Sequence, residues 1–141
     1  IYREELWVMS KTGNHTYHVK TDGFHGELFF PSEDKYPGKA LICFSGIELS
    51  KVLAKVFQDQ GLTTLALAYV VGEDLPKQFS CIPVDFIGAA AKRLHDMGYH
   101  KVGLCGISKG AELALLAGSL LPELVNAVIA VSPMNTRCQY V

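Results

Sequence analysis

The feature that most constrains the fold of this 141-residue chain is the sequence Gly-Ile-Ser-Lys-Gly at positions 106–110. It directly follows the apolar run at 101–105 and directly precedes a helix-like run at 111–117. This context predicts a sharp strand–turn–helix joint, because glycine tolerates both a strained turn and the close approach of strand and helix. Such a turn holds a serine hydroxyl out where a base can reach it, which a serine nucleophile requires. The pattern therefore favours Ser108 as a nucleophile over a plain Gly-Ser-Gly turn.

Two phosphate-binding patterns do not fit the same segment. The glycines at 103, 106 and 110 lack the Gly-x-Gly of a dinucleotide fingerprint. Lys109 is neither preceded by glycine nor followed by serine or threonine, as a phosphate-binding P-loop requires.

The apolar pattern after residue 38 alternates between strand-like and helix-like segments. Strands are predicted at 39–45, 63–69, 101–105 and 127–131, with helices from Gly46 to Gly61, from Pro83 to Gly98 and at 111–117. Nearly continuous apolar strands that alternate with helices predict a mostly parallel, doubly wound α/β sheet with helices on both faces. The earlier segments 16–20 and 26–30 alternate instead, which predicts an antiparallel N-terminal hairpin or meander. We expect one domain over 1–141, with N-terminal strands in 1–24 and the core in 25–141.

Composition and charge exclude several function classes. A net charge of −1 gives no electrostatic reason to expect nucleic acid or an anionic membrane as a partner. No apolar run reaches the length of a membrane-spanning helix, and no secretory signal is visible. The four cysteines show neither a Cys-x-x-Cys pair nor zinc-ligand spacing, and Cys43 and Cys105 lie in apolar runs typical of buried strands. We therefore expect a cytoplasmic protein with a small-molecule substrate and without a metal or a cofactor.

Several short sequence segments resemble those of one protein family. The order of elements ending in Gly-x-Ser-x-Gly resembles the α/β-hydrolase fold. Several segments over roughly residues 24–133 are similar to the catalytic domain of acyl-CoA thioesterases and bile acid-CoA:amino acid N-acyltransferases. These segments are Leu67-Ala68-Tyr69, Leu75-Pro76-Lys77, Ile82-Pro83-Val84-Asp85-Phe86, Gly106-Ile107-Ser108-Lys109-Gly110-Ala111-Glu112 and Ala127-Val128-Ile129-Ala130-Val131-Ser132-Pro133.

The resemblance implies acyl transfer from a thioester. Ser108 would attack the thioester carbonyl, and the backbone N–H of Lys109 would form half of an oxyanion hole. The other half would come from the loop near Gly46 and Ile47, while a histidine would act as base and an aspartate would orient it. In this family a serine nucleophile goes with hydrolysis and a cysteine with amino-acid conjugation, so Ser108 favours hydrolysis.

Two departures from the family pattern stand out. Gly46 runs straight into Ile47, where the family usually has a glycine-rich loop of the kind Gly-Ser-x-Gly-Gly, so loop residues are either deleted or missing from the chain. After Ser108 there is no histidine and no aspartate, and the only carboxylates are Glu112 and Glu123. The five histidines all precede Ser108 and are expected to be structural or surface residues: His15, His18, His25, His95 and His100.

We therefore expect a serine hydrolase domain truncated at its C-terminus, whose acid and base lie beyond residue 141. Two alternatives stay open. One is a carboxylester or dienelactone-type hydrolase on the same fold, because a fold does not specify a substrate. The other is a non-catalytic hydrolase-like protein that binds a ligand or partner.

Overall fold

A single mixed sheet organises the described part of the chain. The structure, a computed structural model, describes residues 14–45, 47–70, 72, 74–77 and 82–133. Within these ranges the sheet order is β1-β2-β4-β3-β5-β6, with β2 antiparallel to both neighbours and the other pairs parallel. This confirms the predicted antiparallel start followed by a parallel sheet. The strands are β1 (His15–Tyr17), β2 (His25–Phe29), β3 (Lys39–Phe44), β4 (Thr63–Ala68), β5 (Lys101–Ile107) and β6 (Ala127–Val131).

Helices cover both faces of this sheet, as the doubly wound prediction requires. Those in the described ranges are α1 (Val19–Asp22), α2 (Ile47–Asp59), α3 (Asp85–Asp96) and α4 (Lys109–Leu120). One face packs against α2 through a cluster that includes Phe29, Cys43 and Ala54. The other face packs against α3 and α4 in a larger cluster that includes Leu104 and Leu113. None of these helices has the length and apolar composition needed to cross a bilayer.

The N-terminal hairpin departs from the predicted strand at 16–20. β1 ends at Tyr17, and residues 19–22 form the single helical turn α1. The cause is Asp22, whose carboxylate accepts hydrogen bonds from the His18 N–H at 2.9 Å and the Thr21 hydroxyl at 2.8 Å. The hydrogen bond from the His18 N–H is the main reason why the pKa of Asp22 lies below its usual range. Gly23, with φ 82°, then reverses the chain into β2.

The packed face of α2 differs from the apolar stripe that the sequence predicts. Apolar residues repeat at helical spacing at positions 49, 52, 53, 56 and 57. Leu53 and Phe57 pack towards the sheet, but Leu49, Val52 and Val56 are 44%, 58% and 53% exposed. The residues that face the sheet repeat instead at 50, 53, 54 and 57, with Ser50 and Ala54 fully buried. The expectation that the stripe of large apolar residues marks the packed face was therefore wrong for three of its five members.

The same face of the sheet is open at β6. Ile129 pairs with Cys105 in register and so lies on the α2 side, where Cys105 packs. Ile129 and Val131 are 44% and 43% exposed. In the described structure α2 thus covers the strands next to it and leaves the apolar surface of β6 accessible.

Two of the four cysteines lie in the core, as predicted from their apolar surroundings. Cys43 and Cys105 are buried, free and directly in register on β3 and β5. The hydrogen bond to the Cys105 sulfur, together with burial, raises the pKa of Cys43, so its thiol stays protonated. Cys81 and Cys138 lie outside the described residues. The same holds for the segment at 5–9, for which the sequence allows a short strand.

Candidate active site

Ser108 occupies the sharp turn that the sequence predicts. It joins β5 to α4 with φ 57° and ψ −115°, a backbone conformation that a residue other than glycine rarely adopts. Its N–H donates to the Val131 carbonyl at 2.9 Å, and its own carbonyl accepts from the N–H groups of Ala111 and Glu112. The side chain is exposed. The turn is therefore fixed by backbone hydrogen bonds on both sides, while the hydroxyl remains accessible.

Two glycines make this turn sterically possible. A methyl group on Gly106 would overlap the carbonyl oxygen of Gly110, so strand and helix can pass each other only without a side chain there. A methyl group on Gly110 would overlap the carbonyl oxygen of Phe44, the last residue of β3. The start of α4 is thus packed directly against the end of β3, which brings the turn beside the next strand end.

The unusual φ of Ser108 predicts a measurable stability effect. A non-glycine residue in such a region costs of order 1–3 kcal/mol, so Ser108→Gly should be more stable than Ser108→Ala by about 1 kcal/mol. Urea denaturation of the two variants measures the difference. At the exposed Ser119 within α4 the order should be reversed, because glycine is unfavourable in a helix. Equal stabilities of the two position-108 variants would show that the turn stores no strain.

Parallel strands bring three loops to the same edge of the sheet. β3, β4 and β5 end at Phe44, Ala68 and Ile107, so the residues that follow them share this edge. Lys109 is the first residue of α4 and Ile47 the first of α2, so both N-terminal turns begin here. The third residue predicted for the oxyanion hole, Gly46, lies outside the described residues. The site roles of these residues remain predictions.

Ser45, the residue after β3, is held by the side chain of Ser50, which is absent from the sequence-based predictions. The Ser50 hydroxyl accepts a hydrogen bond from the Ser45 N–H at 2.8 Å and lies 3.3 Å from the Ser45 carbonyl, to which it can donate. Both serines are buried. The signal in the sequence was a serine on the stripe at 50, 53, 54 and 57, because a buried hydroxyl requires a partner.

A tyrosine lies buried at the end of the neighbouring strand. Tyr69 follows β4, is 1% exposed and packs edge-on against Phe44 with ring centroids 6.2 Å apart. Burial raises the pKa of Tyr69 to about 12, so its phenol stays protonated at neutral pH.

The histidines are all described, and they lie away from Ser108. His25 starts β2, which is three strand positions from β5, so about 14 Å separate the two strands. His15 and His18 belong to the same hairpin, where the His18 and His25 rings are 5.7 Å apart. His95 lies 2.8 Å from the Leu124 carbonyl, and His100 is exposed just before β5, at the opposite edge of the sheet. Among the described residues, therefore, no imidazole is placed to act as the base of Ser108.

Three carboxylates were also compared for their position relative to Ser108: Glu112, Glu123 and Asp74. Glu112 is half-buried one turn into α4, and Glu123 is exposed beyond the far end of that helix. Asp74 forms an ion pair with Lys20 at 3.3 Å, which ties the loop after β4 to α1. Within the described ranges, no three histidine, cysteine or carboxylate side chains are grouped so as to hold a metal ion.

A small cavity of about 130 Å³ lies beside the first turn of α2. Ser50 and Lys51 line its helix side, and His25 and Glu27 line its sheet side. Lys51 forms an ion pair with Glu27 at 3.4 Å. Ser108 does not line this cavity, which therefore adjoins the start of α2 and not the turn at Ser108.

Comparison with known proteins identifies the fold and a set of relatives. The chain is 34% identical to acyl-coenzyme A thioesterase 1 of Homo sapiens over 115 residues, which cover 79% of this chain and 27% of that protein. It is 31% identical to the peroxisomal succinyl-coenzyme A thioesterase of Mus musculus over 118 residues, covering 81% of this chain and 28% of that protein. The chain thus spans only about a quarter of the length of these curated relatives. No protein-family model matches it.

Solved structures of hydrolases share the architecture. Est1E from Butyrivibrio proteoclasticus with bound ferulic acid has a TM-score of 0.65 at 19% identity, covering 83% of this chain and 52% of that one. XC6422 from Xanthomonas campestris, described as an a/b serine hydrolase without lid, has a TM-score of 0.63 at 17% identity, covering 83% and 63%. At such identities the likeness concerns the fold alone. The chain therefore has the α/β-hydrolase fold, and its sequence resembles the acyl-coenzyme A thioesterases.

Proposed function

We propose that this protein is a serine hydrolase that cleaves acyl thioesters of coenzyme A, with Ser108 as the nucleophile. The observation that carries the proposal is the exposed serine on a strained turn between β5 and α4. The similarity to acyl-coenzyme A thioesterases supports thioesters as the substrate class. A turn of this kind presents a hydroxyl to both a base and a carbonyl carbon, which is the geometry of nucleophilic acyl transfer.

In the proposed reaction the Ser108 hydroxyl oxygen attacks the thioester carbonyl, and the hydroxyl proton passes to a base. The carbonyl oxygen becomes an oxyanion, which accepts hydrogen bonds from the backbone N–H of Lys109 and from those of Gly46 and Ile47. Collapse of this intermediate breaks the C–S bond, and the leaving sulfur takes the proton from the base, so that coenzyme A departs as a thiol. Water then attacks the acyl-serine ester and releases the carboxylic acid, which restores the Ser108 hydroxyl.

The base and its orienting acid are proposed to be a histidine and an aspartate beyond Val141. The support is the position of the histidines and carboxylates within the described chain, which leaves Ser108 without a nearby imidazole. The order serine, acid, histidine also places both partners after the nucleophile in chains of this fold. We retain a cytoplasmic location as part of the proposal, on the basis of the free thiols of Cys43 and Cys105.

The test is hydrolysis of an acyl-CoA series, from acetyl-CoA to palmitoyl-CoA, by the full-length protein. A colorimetric thiol reagent measures the coenzyme A that is released. Cys43 and Cys105 are buried and should contribute little background in the folded protein. We expect thioester turnover and covalent labelling of Ser108 by a fluorophosphonate, identified by peptide mass spectrometry.

Two results would redirect the proposal. Rapid cleavage of p-nitrophenyl esters without release of coenzyme A would indicate a carboxylester or dienelactone-type hydrolase instead. A full-length protein whose Ser108 is not labelled would be a non-catalytic member of the fold. Ser119→Ala provides a control for the labelling, because this exposed serine of α4 lies outside the turn.

A further inference from the structure

We infer that Ser50 is a positioning residue, which holds the β3–α2 connection in register with the nucleophile turn through its hydrogen bonds to the Ser45 backbone. The inference rests on the proposed function, because the connection matters only if it supplies a donor to the oxyanion. Ser50 itself would touch neither substrate nor the reacting atoms.

The first step of the argument concerns the backbone of Ser45. Phe44 is the last β3 residue paired in the ladder with β5, and Cys43 the last paired with β4. Ser45 therefore lies beyond both ladders, yet it is buried. A buried N–H and a buried carbonyl require partners, and here one hydroxyl contacts both.

The second step concerns where this hydroxyl comes from. Ser50 is the fourth residue of α2, and its side chain reaches back across the chain reversal to the strand end. In the sequence, Ser45 and Ser50 flank Gly46 and Ile47, two of the three proposed donors to the oxyanion. The contact thereby couples the orientation of the first turn of α2 to the end of β3.

The third step links that strand end to the nucleophile. Gly110 packs against the Phe44 carbonyl so closely that a methyl group would overlap it. Phe44 precedes Ser45 directly, and Gly110 lies two residues after Ser108. Ser50, Ser45, Phe44 and Gly110 therefore form a continuous series of contacts and covalent bonds from the α2 connection to the nucleophile turn. Oxyanion donors act only at short and fixed distances, so loss of this register should affect the transition state more than substrate binding.

The chain offers a matched control for a merely structural role. Thr64 of β4 donates from its buried hydroxyl to the Ala54 carbonyl of α2 at 2.9 Å. Thr64→Val removes a buried hydrogen bond to the same helix, but in its middle and away from the connection. Ser50→Ala removes the equivalent bond at the connection. A general weakening of α2 should affect both variants alike.

The experiment measures kcat and KM for acyl-CoA hydrolysis by full-length wild type, Ser50→Ala, Ser50→Thr and Thr64→Val, together with their melting temperatures. Since loss of a whole oxyanion donor costs about 10²–10³ in kcat, we expect Ser50→Ala to lose about tenfold or more in kcat with KM within about threefold. Thr64→Val should keep the wild-type kcat at a comparable loss of melting temperature. Ser50→Thr should restore kcat, because it keeps the hydroxyl and its methyl group can enter the cavity that Ser50 lines.

The outcomes separate this inference from the proposed function. If the wild type is active and Ser50→Ala keeps the wild-type kcat, the role of Ser50 is overturned and the proposed function is not. The same holds if Ser50→Ala and Thr64→Val lose kcat equally. A wild type without Ser108-dependent hydrolysis overturns the proposed function and this role with it. If Ser50→Ala does not fold, Ser50→Cys decides, because a thiol weakens the hydrogen bond without removing it. An intermediate kcat then supports the role, and a wild-type kcat overturns it.

Discussion

Ser108→Ala in the full-length protein is expected to lower kcat for acyl-CoA hydrolysis by at least about 10⁴-fold, because removal of the nucleophile leaves only the residual contributions of oxyanion stabilisation and binding. KM should stay within about threefold, since the hydroxyl oxygen acts in bond formation and contributes little to ground-state binding. Steady-state release of the coenzyme A thiol measures both parameters. Fluorophosphonate labelling of the variant should be lost in parallel.

The control for this prediction is Ser119→Ala on the same helix. It removes an exposed hydroxyl near the far end of α4 and should leave kcat and melting temperature unchanged. Hydrolysis that persists at more than a few per cent of the wild-type rate in a folded Ser108→Ala protein would mean that another group performs the attack.

Gly106→Ala is expected to destabilise the protein by more than about 4 kcal/mol, which places it among the most damaging substitutions of a single residue. The reason is that the new methyl group would overlap backbone atoms of Gly110 and Ala111, and neither can move without shifting the start of α4. Denaturant unfolding monitored by circular dichroism measures the effect. Failure of the variant to accumulate as a folded protein would be the extreme form of the same result.

Gly88→Ala provides a contrasting substitution of the same chemical size. A methyl group at position 88 in α3 would meet only the Leu121 side chain at 3.5 Å, an ordinary van der Waals contact. Because alanine is the better helix former, this variant should be stabilised by about 0.5–1 kcal/mol. If both variants changed stability equally, the close packing of β5 against α4 would not be what requires glycine at 106.

The nucleophile turn was predictable from the sequence because its geometry is encoded locally. Two glycines and a serine between a strand and a helix restrict the backbone on their own, and the structure shows the predicted sharp turn at Ser108, whose catalytic role stays a prediction. The order of strands and helices after residue 38 was predictable for a related reason. Strands buried on both faces are mostly apolar, and Gly61 and Gly98, both with positive φ, follow the helices that precede β4 and β5.

The packing of α2 was not predictable in the same way. Its apolar residues span more than one face, so periodicity alone does not decide which side meets the sheet. Ser50 and Ala54, which are the most buried of the residues whose burial is described in this helix, are small and do not belong to the stripe of large apolar side chains. The helical turn α1 was missed because it depends on hydrogen bonds to one side chain, Asp22, within a segment that alternates like a strand.

Which side chains could act together with Ser108 was not predictable from the sequence, for a different physical reason. Catalytic partners of this kind meet through tertiary structure, so only position in the sheet shows whether a given histidine can reach Ser108. His25 shares the carboxyl edge of the sheet with Ser108, yet the strand order places β4 and β3 between their strands. That order is a property of the folded sheet and cannot be read from residue spacing.

The close contact of Gly110 with Phe44, and of Gly106 with Gly110, has a consequence for how such a protein can evolve. The architecture of the turn depends on positions where only hydrogen fits, whereas the exposed side chain at position 108 contributes little to packing. The side chain at position 108 can therefore change with little effect on the packing of the turn. Positions 106 and 110 have no comparable freedom, so substitution is more restricted in the backbone of the turn than at the side chain that the turn presents.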